Sequence, residues 1–294
     1  MAGPPTSVGS SVVVTRGKEA AVYRAAGRIL AHRRWEMDMI RMEGVPASTP
    51  ISVGLRESYH GSRLSIERLA RIRVPVIDMR ASTYSSWLER RRTSIRRELM
   101  RKRRRCLEDG YTLATLTAAR DVDVRIEPFL ELHSRRWDDR GGSGAIHPRL
   151  ADMLREVSRR LDGSRRLRLS VLELDGQLVS ADMTLSTGKV SSGWLGGFEA
   201  SAARYQPGMQ TMLASVEYAW AAGDTVFDLG PGSQPHKRSL ATDESFIESW
   251  ILARRGAPYT SVIQLLPWQV VRRTSPTMRA LRAGGTESNV ASVV

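Results

Sequence analysis

The order of elements along this 294-residue chain predicts a mixed α/β (α+β) fold. Three observations carry that reading. Three apolar-alternating segments in succession, separated by the turn signals Asp175-Gly176 and Thr187-Gly188, predict an antiparallel meander. Two amphipathic helices precede it. A long helix opened by Pro207-Gly208 and two short apolar strands follow it. A hydrophobic content of 41% with seven Trp describes a chain that folds around a core.

Taken in order, residues 1–17 are rich in Gly, Ser, Pro and Val and are expected to be disordered. Residues 19–31 carry helical spacing, with Ala21, Tyr23, Ala25, Ile29 and Leu30. Residues 35–45 alternate apolar and polar as a half-buried strand, followed by a Pro/Ser/Thr loop at 46–50. Residues 73–79 form another short strand, which Pro75 assigns to a sheet edge. One long helix then runs from a cap at Ser82 or Thr83 to Gly110, with Leu88, Ile95, Leu99 and Cys106 as a narrow apolar stripe. A strand at 111–118 comes next, then a helix from Pro128 through Arg140 and a loop at Gly141 to Gly144. His147-Pro148 opens a second helix, stopped by Asp162-Gly163. The meander strands are 167–174, 177–186 and 189–197, the following helix 209–222, and the later strands 225–229, 246–253 and 259–266. The tail after Arg279 is expected to be disordered.

Composition narrows the function classes. Cys106 is the single cysteine, so there is no disulfide framework and no cysteine-based zinc site. It lies on a basic helix and reads as an incidental thiol. No apolar run is long enough to span a membrane, and the N-terminus has no basic start or apolar core of a secretory signal. Cytoplasmic residence is the expectation. The net charge is +14, and from Arg90 to Arg105 there are ten cations against one acid, Glu98. Such a block suits polyanions, tRNA among them. It suits equally a solvated helix whose arginine stems lie along its neighbours.

The run from Val226 to Lys237 is the most informative stretch. It reads as a strand ending in Asp228, a Gly/Pro loop, and then Lys237, one of four lysines against 41 arginines. A lysine is a point donor whose pKa burial can tune, unlike the permanently charged guanidinium. Asp-x-Gly-x-Gly resembles the first motif of S-adenosylmethionine-dependent methyltransferases, and loosely a dinucleotide fingerprint. Both require a helix directly after the glycines and further βα units. Gln234 stands where a third glycine is needed, Pro235 interrupts, and only about 60 residues follow.

Five pieces carry a different resemblance: the basic helix ending in Leu107-Glu108-Asp109-Gly110, the stretch from Leu132 to Trp137, the stretch from Leu172 to Ala181, Gln206-Pro207-Gly208-Met209, and Phe227-Asp228-Leu229-Gly230 running to His236-Lys237. In that order the chain resembles GNAT acetyltransferases of the CelD/BcsL type, a branch associated with exopolysaccharide and cellulose biosynthesis. It is similar more distantly to the FemAB-type transferases that use aminoacyl-tRNA.

The resemblance implies the GNAT acyl-CoA N-acyltransferase fold. A complete C-terminal half would occupy residues 111–270, and a truncated N-terminal half 18–82. A basic connecting helix at 83–110 would join them, with a tail at 280–294. It implies acyl-CoA as co-substrate, no metal, and a cleft where the third meander strand and the strand after the helix splay apart. The acceptor would be an amine or hydroxyl on a sugar, polysaccharide precursor or natural product.

Direct acyl transfer needs a base, oxyanion donors and an acid for the leaving group. Lys237 suits the oxyanion. Asp228 suits a base or a partner orienting Lys237, or simply a cap on the following loop. His236 stands where relatives favour an aromatic, and is either an alternative base or a solvent-facing loop histidine. Tyr205 would protonate the leaving thiolate. Gln206, Pro207, Gly208, Met209 and Gln210 occupy the place of the pyrophosphate loop and keep one of its glycines; backbone N–H groups at a helix start attract anions. Trp137 and Trp194 either line the site or fill the core. A FemAB-like aminoacyl-tRNA-dependent transferase and a non-catalytic polyanion-binding module are the alternative functions.

Overall fold

The computed structural model describes residues 17–32, 39–47, 64–138, 149–232 and 234–254. The expectations for the termini, for 35–38, for the loop at Gly141 to Gly144, for His147-Pro148 and for a strand at 259–266 lie outside them. The fold is α/β with one eight-stranded sheet, and the chain divides into two units.

The first unit holds α1 (Glu19–His32), β1 (Met39–Pro46), the first part of β2 (Leu64–Asp78) and most of β8 (Asp243–Arg254). β1 pairs antiparallel with β8, Met39 opposite Ala253. The β8 carboxylate Glu248 is buried and is met by Arg68 at 2.9 Å and by the Trp250 indole N–H at 3.2 Å. Arg71 lies over the Phe246 ring at 4.2 Å.

The second unit spans Pro75–Gly230 and Gln234–Asp243. β2 is fifteen residues long, far longer than the strand expected at 73–79. In the strand order β1-β8-β2-β7-β6-β5-β4-β3 it is interior, so Pro75 does not mark an edge. The ladder to β7 (Val226–Asp228) begins one residue later, at Val76 opposite Asp228. Pro75 contributes only its carbonyl, which accepts the Leu229 N–H at 3.1 Å, so no donor is missed.

The single helix expected from Thr83 to Gly110 is two: α2 (Tyr84–Glu89), held by a capping box between Thr83 and Ser86, and α3 (Thr93–Glu108). The break falls in the run of three arginines, 90–92. There the Arg91 N–H turns back to the Leu88 carbonyl at 3.1 Å. Its guanidinium donates to the Leu240 and Ala241 carbonyls at 3.2 and 3.0 Å. Side-chain bonds to distant backbone thus replace helix continuation.

After β3 (Thr112–Leu116) comes α4 (Ala119–Asp138), which starts nine residues before Pro128 and carries it in its interior. The expectation that Pro128 opens this helix is corrected. An internal proline costs about 3 kcal/mol. Val122, Ile126, Phe129, Leu130 and Leu132 are all buried along the same helix, each contributing roughly 1.5–3 kcal/mol. The buried stripe outweighs the lost bond, and Pro128 itself is exposed.

α5 (Leu150–Arg160), β4 (Leu167–Leu174), β5 (Gln177–Thr187) and β6 (Val190–Phe198) follow as the spacing predicts. The second turn is centred on Gly188-Lys189 rather than Thr187-Gly188, because Thr187 pairs with Val190. A 3₁₀ turn (Ala200–Tyr205) leads into α6 (Pro207–Ala221), with Pro207 inside the helix at its first turn. The Gly/Pro run after β7 is only partly a loop, since Pro235 opens a short helix, α7 (Pro235–Leu240).

α4 and α5 cover one face of β4 and β5 through Phe129, Leu154, Leu169, Val171, Ala181 and Met183. A second core joins α2, α3, α6 and α7 around Trp87, Leu99, Leu213, Phe227 and Leu240.

Candidate functional site

The site forms where β6 and β7 part. These two strands pair in parallel, and only over Val190–Ser192 against Val226–Asp228. Beyond that β7 ends and the chain turns at Gly230, while β6 continues along β5 to Phe198. Gly230 has φ +79°, a conformation other residues reach only with strain. A side-chain carbon there would lie 3.4 Å from Lys237 Nζ and 3.7 Å from the Gly193 carbonyl. Lys237 is therefore delivered by α7 onto the bare backbone at the point of separation.

Lys237 is only 4% exposed. Burial pulls its ammonium down to about 8, while Asp228 and then Asp182 oppose that drop. Asp228 ends β7, and its Oδ1 accepts the Gly230 N–H at 2.7 Å, so the loop-capping alternative describes one of its oxygens. Burial raises its pKa against the pull of that N–H and of Lys237. Asp182, on β5 opposite Gly196 of β6, was not singled out from sequence. Burial pushes its carboxyl up to about 6, resisted by the Ser215 hydroxyl and by Lys237. Protein surrounds the carboxylate, yet part of the residue stays accessible, as befits the wall of a cleft.

His236 sits on α7 and is part-buried rather than solvent-facing. Burial, helped by the charges of Lys237 and Arg136, pulls it down to about 4, which leaves the imidazole neutral near pH 7. Buried His133 of α4 has its Nδ1 2.9 Å from the Gly196 carbonyl. At Gly197 an added side-chain carbon would lie 3.0 Å from the His133 backbone nitrogen, so α4 rests directly on β6.

The start of α6 offers less to an anion than the sequence suggests. Pro207 has no N–H, and the Met209 and Gln210 N–H groups both reach the Gln206 carbonyl at 2.9 and 3.1 Å. Gln206 adopts a left-handed conformation, and its amide donates to Glu98 at 3.2 Å. Gln210 is buried, facing the Leu99 and Tyr205 carbonyls. Gly208 is closely packed: a side-chain carbon there would lie 3.1 Å from the Phe198 ring. The Arg136 guanidinium lies 4.3 Å over that same ring, which brings a cation to this end of the cleft.

The remaining candidates divide. Tyr205 is buried with Cys106, Leu172 and Ala202, and its hydroxyl is engaged by Asp109 and Arg204. That geometry ties α3 to the 3₁₀ turn instead of presenting an acid to a thiolate. Trp194 sits at the β5–β6 register shift between Met183 and Thr184 and packs on the α4/α5 core. Trp137 lies in α4, and its side chain is outside the described residues. Burial lifts the Cys106 thiol to about 11, an inert group. Of the basic run, Lys102 pairs with Glu98, Arg103 with Glu217, Arg104 with Glu108 and Arg105 with Asp109. Arg92, Arg97 and Arg101 are exposed.

Asp182 and Arg136 are the residues sequence reasoning missed. Asp182 alternates with Ala181 and Met183 as an ordinary outward-facing strand position would, and only the helix laid over that face reveals its burial. Arg136 lay inside a quoted motif, with nothing to distinguish it from Arg135.

Among the described residues no group of side chains could hold a metal ion, and no helix is long and apolar enough to cross a membrane. Residues 93–238 match the sequence profile of the acetyltransferase (GNAT) domain. A comparison with curated proteins found no match. Among solved structures, FemX is similar at a TM-score of 0.59 and 12% identity, over 87% of this chain and 81% of that one. The C-terminal domain (DUF2156) of a protein described as a lysylphosphatidylglycerol synthetase, from Agrobacterium fabrum, is similar at 0.53 and 14% identity, over 85% and 77%. These identities establish a shared fold. The parallel β6–β7 pair that parts at Lys237 and the matched profile agree: residues 93–238 resemble the acetyltransferase (GNAT) domain.

Proposed function

We propose that this protein is an acyltransferase that moves an acyl group from a thioester or ester donor to an amine or hydroxyl at the β6–β7 cleft. The observation that carries the reading is Lys237, buried at the parting of the two strands and facing the carboxylates Asp182 and Asp228. With its pKa about 8 the group is mainly ammonium at neutral pH. It is buried, where a donor to a developing oxyanion is worth most. Asp228 orients it, and neutral His236 lines the approach. Acyl-CoA is the first donor to test, with Gly208 and Arg136 toward its phosphates. The acceptor class is an amino or hydroxyl group of a sugar, polysaccharide precursor or natural product, in keeping with the CelD/BcsL resemblance.

Isothermal titration with acetyl-CoA tests the donor. Binding in the millimolar range or tighter, with catalysis lowered about 10²- to 10³-fold in Lys237→Ala, is the expected result. A folded sample that binds no acetyl-CoA overturns the CoA form of the proposal.

One observation favours a second reading, an aminoacyl-tRNA-dependent transferase of the FemAB kind. The start of α6 keeps few open N–H groups for a pyrophosphate, while Arg92 before α3 and Arg97 and Arg101 on it are exposed. That reading predicts salt-sensitive binding of charged tRNA, lost when residues 101–105 are neutralised. Equal affinity for any polyanion would favour a binding module without catalysis.

A further inference from the structure

A row of side chains crosses the sheet beneath α6. Thr115 Oγ1 on β3 lies 2.8 Å from Ser170 Oγ on β4, and Ser170 Oγ lies 2.8 Å from Ser215 Oγ on α6. Ser215 Oγ in turn lies 2.7 Å from Asp182 Oδ2. Ser170 and Ser215 are wholly buried, whereas Thr115 is part-exposed on the last strand of the sheet.

Each hydroxyl has a single proton to donate. With Asp182 ionised, Ser215 must give its proton to the carboxylate, Ser170 to Ser215 and Thr115 to Ser170. With Asp182 protonated, all three bonds reverse. The row therefore has two complete states that differ by one proton.

Resting on the acyl-transfer reading, we propose that Asp182 takes the proton which the acceptor amine or hydroxyl loses, and that Ser215, Ser170 and Thr115 carry it to the sheet edge. As the acceptor N–C or O–C bond forms, the acceptor proton passes to Asp182. The donor's C–S or C–O bond breaks with its electron pair on the leaving group, which regains a proton from solvent. Lys237 remains protonated throughout.

The charged groups facing Asp182 and Lys237 in this cleft are each other and Asp228, with neutral His236 on α7 and Arg136 on α4 beyond it. Asp228 is the less suited acceptor, because its engaged oxygen meets the Gly230 backbone N–H, which cannot pass a proton on, whereas that of Asp182 meets a hydroxyl. Asp182 also titrates at about 6, close enough to neutrality to take and release a proton.

Two measurements test this separately. The first follows the Asp182 carboxyl by carbon-13 NMR of aspartate-labelled protein, assigned with Asp182→Asn, and needs no turnover. Ser215→Ala is expected to raise its midpoint clearly and Ser170→Ala to raise it less. A midpoint unmoved in both folded variants overturns the relay. The second follows acetyl-CoA turnover with glucosamine as the amine. Asp182→Asn is expected to lower kcat about 10²- to 10⁴-fold and abolish the acidic limb of the pH profile, with KM for acetyl-CoA unchanged. Ser170→Ala, remote from the cleft, lowers kcat less and shifts that limb. An active wild type whose Asp182→Asn variant keeps its rate and profile overturns the proton role alone. A wild type with no acyl transfer overturns the function proposed above, while the NMR result still decides whether the hydroxyl row is linked to Asp182.

Discussion

On one face of β4 and β5, Leu169, Val171, Ala181 and Met183 are buried against α4 and α5. On the other, Ser170, Ser180, Asp182 and Thr184 lie beneath α6, whose Thr211 and Ser215 meet Ser180 at 3.2 Å and Asp182 at 2.7 Å. Both faces are covered by helices, yet one is joined by apolar packing and the other largely by hydroxyls. The polar face extends to Arg168, which donates to Asp224 at 2.6 Å and lies over the Tyr218 ring at 5.0 Å. Apolar packing is non-directional and sets stability, whereas a hydrogen-bonded polar layer specifies one geometry at modest net gain. The polar face is also the one that leads to Lys237. The apolar packing and the proposed chemistry thus fall on opposite sides of the same two strands.

That division can be broken from either side. Phe129→Ala on the apolar face should cost the most, about 3–5 kcal/mol, read as a lowered denaturation midpoint with an unchanged denaturant slope.

Asp182 makes an intermediate, pH-dependent contribution. Its folded pKa of about 6 lies above the ordinary aspartate value of 3.8, so the folded state holds the proton more tightly. The wild type is then favoured at pH below about 4 and loses that advantage as pH rises through about 6. The stability of wild type relative to Asp182→Asn should fall by about 2–3 kcal/mol across that window and stay flat above it. Thermal melts of the two proteins from pH 4 to 7.5 check this; a flat difference would place Asp182 in water.

Thr211→Val should cost least, about 1 kcal/mol, because Ser180 keeps its 3.0 Å bond to the Gly197 carbonyl. A loss as large as that of Phe129→Ala would show that the hydroxyl layer also carries bulk stability.

The meander was legible because its signals are local. Asp175-Gly176 is a turn in any context, and strict alternation in β5 marks one buried side. That the other side is buried too was not legible, since Ser-x-Asp-x-Thr-x-Ser looks the same under water as under α6. The α4 start was missed because Pro128 is the stronger local signal, and only packing along 122–132 overrides it. Lys237 was found by its rarity among arginines. Its partner Asp182 lies 55 positions away in sequence, and no local pattern connects them.

One bond pair described with the fold has a mechanical consequence. The Leu240 and Ala241 carbonyls that close α7 are held by Arg91, from the break between α2 and α3. The helix that delivers Lys237 is thus moored to the origin of the arginine-rich segment, and anything that displaces that segment tugs on the lysine's own support.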